Sequence, residues 1–203
     1  TITGVAIDGN LYLAKACLDT NVNGTCDAGE PSATTDLNGI FTIKSNLVQN
    51  TVNQYPVVVM AIASTTIDQD DPGLPIATAI TMTAPPGYPS VVSPLTTLLS
   101  AKMAGGMTYN DAKMSVQNDL GLVSADDVNK NYVTGPGDVL THYMAVAVAE
   151  VLKAVDSTNS LSAQQLFIRN TVTNSIAPIS VAIQQTAVNL SDAKNQAALA
   201  LAP

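Results

Sequence analysis

The 203-residue chain has no tryptophan, six tyrosines and two phenylalanines, so aromatics make up only 4% of it. Its core must be built from aliphatic side chains, and a sugar-binding surface of stacked rings has few residues to draw on. Basic residues are also scarce: eight lysines plus arginines stand against sixteen acids, for a net charge of −8. Without a basic stripe to neutralise phosphates, nucleic acid and anionic membrane are set aside as partners. No apolar run approaches the roughly 18 residues of a membrane span. The sequence contains no G-x-S-x-G elbow, H-E-x-x-H pair, P-loop or dinucleotide fingerprint, which leaves an enzymatic reading without its usual nucleophile, metal or phosphate cradle. The single histidine, His142, lies beside Tyr143 and Met144 in a helical stretch and reads as a packing residue. Zinc has no CxxC pair to hold it. Thr1 is preceded by no basic and apolar leader, so the expectation is a secretion signal already removed, or a cut at a boundary.

Hydrophobic residues make up 46% of the chain, ample for one large core or two small ones. The densest chemistry lies in fourteen residues, Cys17-Leu-Asp-Thr-Asn-Val-Asn-Gly-Thr-Cys-Asp-Ala-Gly-Glu30. Counted from Asp19, oxygen-bearing side chains fall at Asp19, Asn21, Asn23 and Asp27, with Gly24 sixth and Glu30 twelfth. This is the spacing D-x-[DN]-x-[DN]-G-x5-E of a calcium loop. A hard cation takes six to eight oxygens at about 2.3–2.6 Å, and a chain coiling round it supplies them from alternate residues. Thr25 would offer its backbone carbonyl, and Glu30 both carboxylate oxygens. The chain has fourteen aspartates but two glutamates, and one of those two stands where a bidentate ligand is required. Magnesium resists dehydration and fits such a cage less well. The alternative is a solvated Asp/Asn/Gly turn that binds nothing.

Both cysteines, Cys17 and Cys26, bracket this loop. A disulfide between them would hold the ligands near one another and imply an oxidising compartment; two reduced, buried thiols are the alternative. A second acidic group, Asp68-Gln-Asp-Asp-Pro-Gly73, either is a polar loop or brings Asp68 and Asp70 to the ion as extra ligands.

In chain order, Thr1 to Ile7, the turn Asp8-Gly9-Asn10 and the residues to Leu18 predict a hairpin. Ile40 to Ile43 alternates as a strand, Tyr55 to Ala63 is a continuous apolar run suited to a buried strand, and Ile76 to Met82 is a further strand. The proline-rich segment 84–89 then breaks the pattern, and the period lengthens to that of helices. Ser93 before Pro94, Thr108 before Asp111 and Ser124 before Asp127 each open a helix. Gly135-Pro136-Gly137 reads as a turn, after which Asp138 caps a long helix whose Leu140, Met144, Val148, Val151 and Val155 share a face. A stripe of Ile168, Val172, Ile176, Ile179 and Ile183 predicts another, kinked or split at Pro178, and Ser191 starts a last one.

The run from Gly4 through the Cys17–Glu30 loop to Thr35-Asp-Leu-Asn-Gly-Ile-Phe41 resembles the carboxypeptidase-regulatory-like and SdrD B-like modules of bacterial surface proteins. The resemblance covers about a fifth of the chain and rests on the loop motif. It implies a transthyretin-like or immunoglobulin-like β-sandwich with calcium at Asp19, Asn21, Asn23, Thr25, Asp27 and Glu30; Asp36 is a candidate extra ligand by closeness in sequence alone. Such modules are accessories, so the name carries no peptidase activity. The expected fold is thus α+β, a calcium-binding sandwich over 1–88 followed by a helical bundle over 89–203. The expected function is non-catalytic: a calcium-stabilised, secreted structural module of a cell-surface filament, adhesin or other assembly. Self-association would use strand addition by Thr1 to Ile7 at a neighbour's sheet edge. The alternatives are a peptide- or glycan-binding surface module and, third, a hydrolase with an acidic pocket around Asp68 to Asp71.

Overall fold

The computed structural model describes residues 1–134 and 138–202; the turn expected at 135–137 lies outside the described residues. The chain is α+β and divides into two compact units, Thr1–Thr97 and Leu98–Pro203. The division falls inside a helix, beyond the proline-rich segment.

The first unit contains β1 (Ile2–Ala6), β2 (Leu11–Tyr12), β3 (Lys15–Leu18), β4 (Ser32–Thr34), β5 (Ile40–Ile43), α1 (Gln49–Val52), β6 (Val57–Ala61), β7 (Ile67–Asp68), β8 (Ile80–Ala84) and β9 (Val91–Val92). One sheet has the order β5-β1-β9 and another β4-β3-β6-β8, while β2 and β7 form a two-stranded ribbon. In the four-stranded sheet β3 and β6 are the middle strands, and Ala16, Cys17, Leu18, Val57, Val58 and Val59 are all buried. A strand covered on both faces has no solvent side to make polar, which accounts for the continuous apolar run that announces β6. In the smaller sheet, Gly4 faces the Phe41 ring, and a Cβ at Gly4 would stand 2.5 Å from Phe41 Cζ and 2.3 Å from the Pro89 carbonyl. Glycine is needed there for close approach.

One expectation about the amino end is corrected, and a second meets a constraint. The predicted hairpin shrinks to one bridge, Ile7 to Asn10, because Leu13 takes φ +61° and sends the chain across to the other sheet. Hydroxyls hold that corner: Thr35 Oγ1 accepts from Ala14 N (2.9 Å) and donates to the Leu11 carbonyl (2.5 Å), and Thr66 Oγ1 donates to the Leu13 carbonyl (3.2 Å). The strand over Thr1 to Ile7 is also not a free edge. β1 pairs antiparallel with β5 and parallel with β9, so it would have to leave its own sheet before joining a neighbour's.

Helix α2 (Pro94–Ala104) begins at the expected cap, where Ser93 Oγ accepts from Thr96 N at 3.2 Å and Thr96 Oγ1 from Ser93 N at 2.9 Å. The second unit continues with α3 (Tyr109–Leu120), a 3₁₀ turn (Ala125–Asn129), α4 (Val139–Lys153), α5 (Leu161–Thr171), α6 (Ser180–Thr186) and α7 (Leu190–Leu201). Thr108 caps α3 by accepting from Asp111 N, and Ser124 with Asp127 forms a reciprocal capping box. Helix α4 is the hub: every side chain from Thr141 to Ala149 is buried, as are Val151 and Leu152, against α5, α6 and α7. Leu140, placed on the core face by periodicity, is 40% exposed. Asp138 does not cap α4 with its side chain; its carboxylate pairs with Lys130 Nζ at 2.7 Å. Between α5 and α6 a π turn (Val172–Ile176) and a 3₁₀ turn (Ala177–Ile179) accommodate Pro178, which lacks the N–H an α-helix would need. This insertion rotates the face, and Ser180 is buried while Ile179 is not.

Candidate functional site

The loop between β3 and β4 gathers the predicted ligands. Strand β3 ends at Leu18, its amide bonded to the Pro31 carbonyl (2.9 Å), while Asp19 N bonds the Pro56 carbonyl (3.1 Å), so the loop's root is fixed at both ends. Cys17 and Cys26 are joined in a disulfide with a Cα–Cα distance of 5.6 Å, which ties the loop's middle to buried β3. Closing so short a loop removes about 2–3 kcal/mol of chain entropy from the unfolded state. The chain turns inward through two left-handed residues, Val22 (φ +55°) and Gly24 (φ +82°). Gly24 bears that conformation without strain, whereas Val22, β-branched, does not.

Asp19 organises the coil. Its Oδ1 accepts from Asn23 N (3.1 Å) and its Oδ2 from Gly24 N (2.8 Å). Asn21 Oδ1 also accepts from Asn23 N (3.1 Å), and Asn23 Oδ1 accepts from Thr25 N (2.9 Å) and Thr25 Oγ1 (2.8 Å). Glu30 clasps the far end: Oε1 accepts from Thr20 N (2.7 Å) and Thr20 Oγ1 (3.2 Å), and Oε2 from Asp27 N (3.0 Å). Asp27 Oδ2 accepts from the side-chain amides of Asn21 and Asn23, each at 2.7 Å. Asp19, Asn21, Asn23, Thr25, Asp27 and Glu30 thus belong to one network. Two residues outside the spacing join it: Thr20 through Glu30, and Lys15, whose Nζ donates to the Cys26 carbonyl at 3.0 Å. Alternation along β3 gives Lys15 no role in the loop, and no periodic rule singles out Thr20.

The carboxylates differ in environment. Asp19 is fully buried, and loss of hydration raises its carboxyl above the ordinary 3.8; the Gly24 and Asn23 amides pull it back, and nearby Glu30 adds to the rise. Asp27 is held below 3.8, chiefly by the Asn21 and Asn23 amides and with a contribution from Lys15. Among the described residues no lysine or arginine pairs with Asp19 or Glu30. Glu30 repels the Asp19 charge with no cation between them, so this end of the loop concentrates uncompensated negative charge.

The donor set fits a hard divalent cation: carboxylate, amide and carbonyl oxygens, no sulfur and no imidazole. Among the described residues, however, no three His, Cys, Asp or Glu side chains stand close enough together to hold an ion. The carboxylates are turned onto amides of the loop instead. Ligation would have Asn21 and Asn23 present oxygen in place of nitrogen and release Asp27.

The extra candidates lie in other turns. Asp36 Oδ1 accepts from Asn38 N and Ile40 N, both at 2.9 Å, within its own turn closed by Gly39 (φ +73°). Asp68 Oδ1 accepts from Gly9 N (3.1 Å) and Asp70 N (3.0 Å), which ties Asp68 and Asp70 to the Asp8–Asn10 turn. A Cβ at Gly9 would lie 2.2 Å from Asp68 Oδ1. Asp8, at 4% exposure, and Asp68, at 7%, are buried acids that sequence spacing did not bring together. His142 packs at 5.0 Å between ring centroids from Tyr132, in the second unit. No described helix is long and apolar enough to cross a membrane. No family model matches the chain, and no curated protein or solved structure matches it.

Proposed function

We propose that the protein is a non-catalytic structural module of the cell exterior whose first unit is stabilised by calcium in the Asp19–Glu30 loop. The observation that carries this reading is Asp19: a fully buried carboxylate with a raised pKa, no cationic partner among the described residues, and Glu30 close enough to raise it further. An acid buried this way destabilises a fold unless something positive compensates it. The first position of a twelve-residue calcium loop supplies such a role. Asp19, Asn21, Asn23, the Thr25 carbonyl, Asp27 and Glu30 would hold the ion, which when bound supplies the missing positive charge. The disulfide supports an oxidising, extracellular setting. The two larger sheets, with the loop joining β3 to β4, agree with a transthyretin-like sandwich, and the surface-protein modules of the sequence resemblance suggest assembly into a filament or adhesin.

Thermal unfolding of the whole chain with 1 mM calcium and with chelator tests the metal. Binding only the native state at about 100 times Kd adds about 2.7 kcal/mol, so the first unit's transition rises by several degrees. Magnesium at the same concentration gives a smaller rise, and Asp19→Asn abolishes both. A transition unmoved by calcium removes the proposal. Electron microscopy with and without chelator reports on assembly.

A second reading, a ligand-binding module, is favoured by one observation. In the second unit a cleft of about 520 Å³ is lined by Tyr132, Val139, His142, Tyr143 and Leu190 among others, a volume within the range of small-ligand sites. Protection of Tyr132 and Tyr143 in a peptide or glycan titration would favour it.

A further inference from the structure

The chain has a single arginine, Arg169, and among the described residues it pairs with no acid. It sits near the end of α5, half-buried, and among the described residues its one hydrogen bond is long: Nη1 to the Ala101 carbonyl at 3.4 Å. A guanidinium has five N–H donors in a rigid fork, so most of its capacity is unused. Asp119, the acid of this region, is already taken: Lys102 Nζ lies 2.8 Å from its Oδ2, and Thr173 Oγ1 donates to the same oxygen at 3.0 Å.

Arg169 lines a cleft of about 230 Å³ together with Lys102, Gly105, Asn170, Thr173 and Asn174. Two features of the chain keep it open. Gly105 is not among the glycines with positive φ, so its backbone does not call for glycine; a Cβ there would stand 3.1 Å from the Lys102 carbonyl oxygen, 3.3 Å from Arg169 Nε and 3.4 Å from Cζ. What glycine provides is room beside that carbonyl and the guanidinium. The π turn that Pro178 imposes carries Thr173 and Asn174 at the cleft's rim, and such turns within helical segments are frequent at functional sites.

We propose that this cleft binds a small carboxylate, its two oxygens received by the Arg169 fork. With Lys102 neutralised by Asp119, one positive charge remains to be matched, which suits a monoanion. Phosphate, carrying more charge, is disfavoured beside the carbonyl end of α2, where Ala101 presents its oxygen. The carboxylate belongs either to a free small acid or to the C-terminus of a peptide.

The full chain is titrated with acetate, with trialanine, with trialanine amide and with inorganic phosphate, and amide NMR shifts are followed. Acetate and trialanine are expected to give saturable shifts centred on residues 101–105 and 169–174, while the amide and phosphate give none. Trialanine binding about tenfold tighter than acetate assigns the site to peptide termini, and equal binding assigns it to free acids. Arg169→Gln is expected to weaken binding at least about tenfold. Because Arg169 also touches α2, Gly105→Ala is the second variant: it keeps the charge, crowds the fork and should weaken binding several-fold with the helical circular dichroism unchanged. The proposal is overturned by shifts that fail to saturate by about 100 mM acetate and trialanine, by phosphate or the amide binding as well as the acids, or by undiminished binding in Arg169→Gln.

Discussion

In the first unit no strand exceeds five residues, and partners meet across long separations, Gly4 with Phe41 and Val5 with Val91. In the second, the fifteen-residue α4 buries almost every side chain from Thr141 to Leu152. Charge is divided just as unevenly. Lys15 and Lys44 face seven aspartates and Glu30 in the first unit, a net −6, while five lysines and Arg169 face seven aspartates and Glu150 in the second, a net −2. A unit of short strands, long closures and unbalanced acid needs point constraints: a disulfide, threonine hydroxyls at the chain's corner and, as proposed, an ion. A unit built round one buried helix relies chiefly on packing, with ion pairs such as Lys102–Asp119 at its margins. The difference teaches that stability in one chain can come from two separable sources, each with its own vulnerability.

Core truncation tests this separation with the largest effects. Phe41→Ala should cost the first unit about 3–5 kcal/mol, and Met144→Ala the second about 2–5 kcal/mol, since both side chains are essentially fully buried. Hydrogen exchange read separately for residues 1–97 and 98–202 should show each loss confined to its own unit. Both units loosening together in either variant would break the comparison.

Replacing both Cys17 and Cys26 by alanine should cost about 2–3 kcal/mol, in the first unit only, and lower calcium affinity because the loop then loses its tether to β3. Denaturant midpoints of the two units measure this. Stability unaffected by the double replacement would mean that the Asp19 and Glu30 hydrogen bonds suffice to hold the loop.

What the sequence made legible was local. The caps Ser93-Pro94 and Thr108/Asp111 mark the starts of α2 and α3, and the continuous run before Ala63 marks β6, because each depends on chemistry within a few residues. Partners in space were not legible. Nothing near Val5 announces a parallel partner at Val91, and Leu13 takes its left-handed φ in a corner whose carbonyls and amides are held by Thr35 and Thr66, far along the chain. Asp138 has the right identity and place for a cap, but Lys130 claims its carboxylate. The six loop residues, picked by their spacing as ligands, share a hydrogen-bond network, whereas Thr20 and Lys15 stand off the alternate positions that the motif counts. Asp36, Asp68 and Asp70 serve turns of their own, which proximity in sequence cannot distinguish from ligation.

The acids predict opposite responses to pH in separate windows. Native Asp19 keeps its proton at pH values where the unfolded chain has lost it, so calcium-free stability falls as pH rises from 3.8 through its raised native value. Asp27 behaves in reverse: its contribution is present above 3.8 and is lost as pH falls through its lowered native value. Calcium competes with the Asp19 proton, so affinity should weaken as pH falls through that upper window. Calcium titrations of the unaltered chain at stepped pH check this. An affinity that holds level across the window would take Asp19 out of the ion's shell.

The smallest expected effect separates the loop's own cation from the one proposed to enter it. Lys15 Nζ bonds the Cys26 carbonyl and helps hold Asp27 in its charged form, so it supports the empty loop while its charge opposes a second cation. Lys15→Met keeps the aliphatic stem and removes only the ammonium. Without calcium the variant should lose about 0.5–1 kcal/mol, the worth of one hydrogen bond at a partly exposed site. With calcium its affinity should rise about sevenfold at low salt, because a unit charge and a divalent ion about 7 Å apart in water repel by about 1.2 kcal/mol, and the gain should shrink as salt screens it. Opposite signs in the two measurements are what a competing charge requires. If stability and affinity fall together, Lys15 instead shapes the loop for its occupant, and the first unit's constraints act as one assembly, not as separable points.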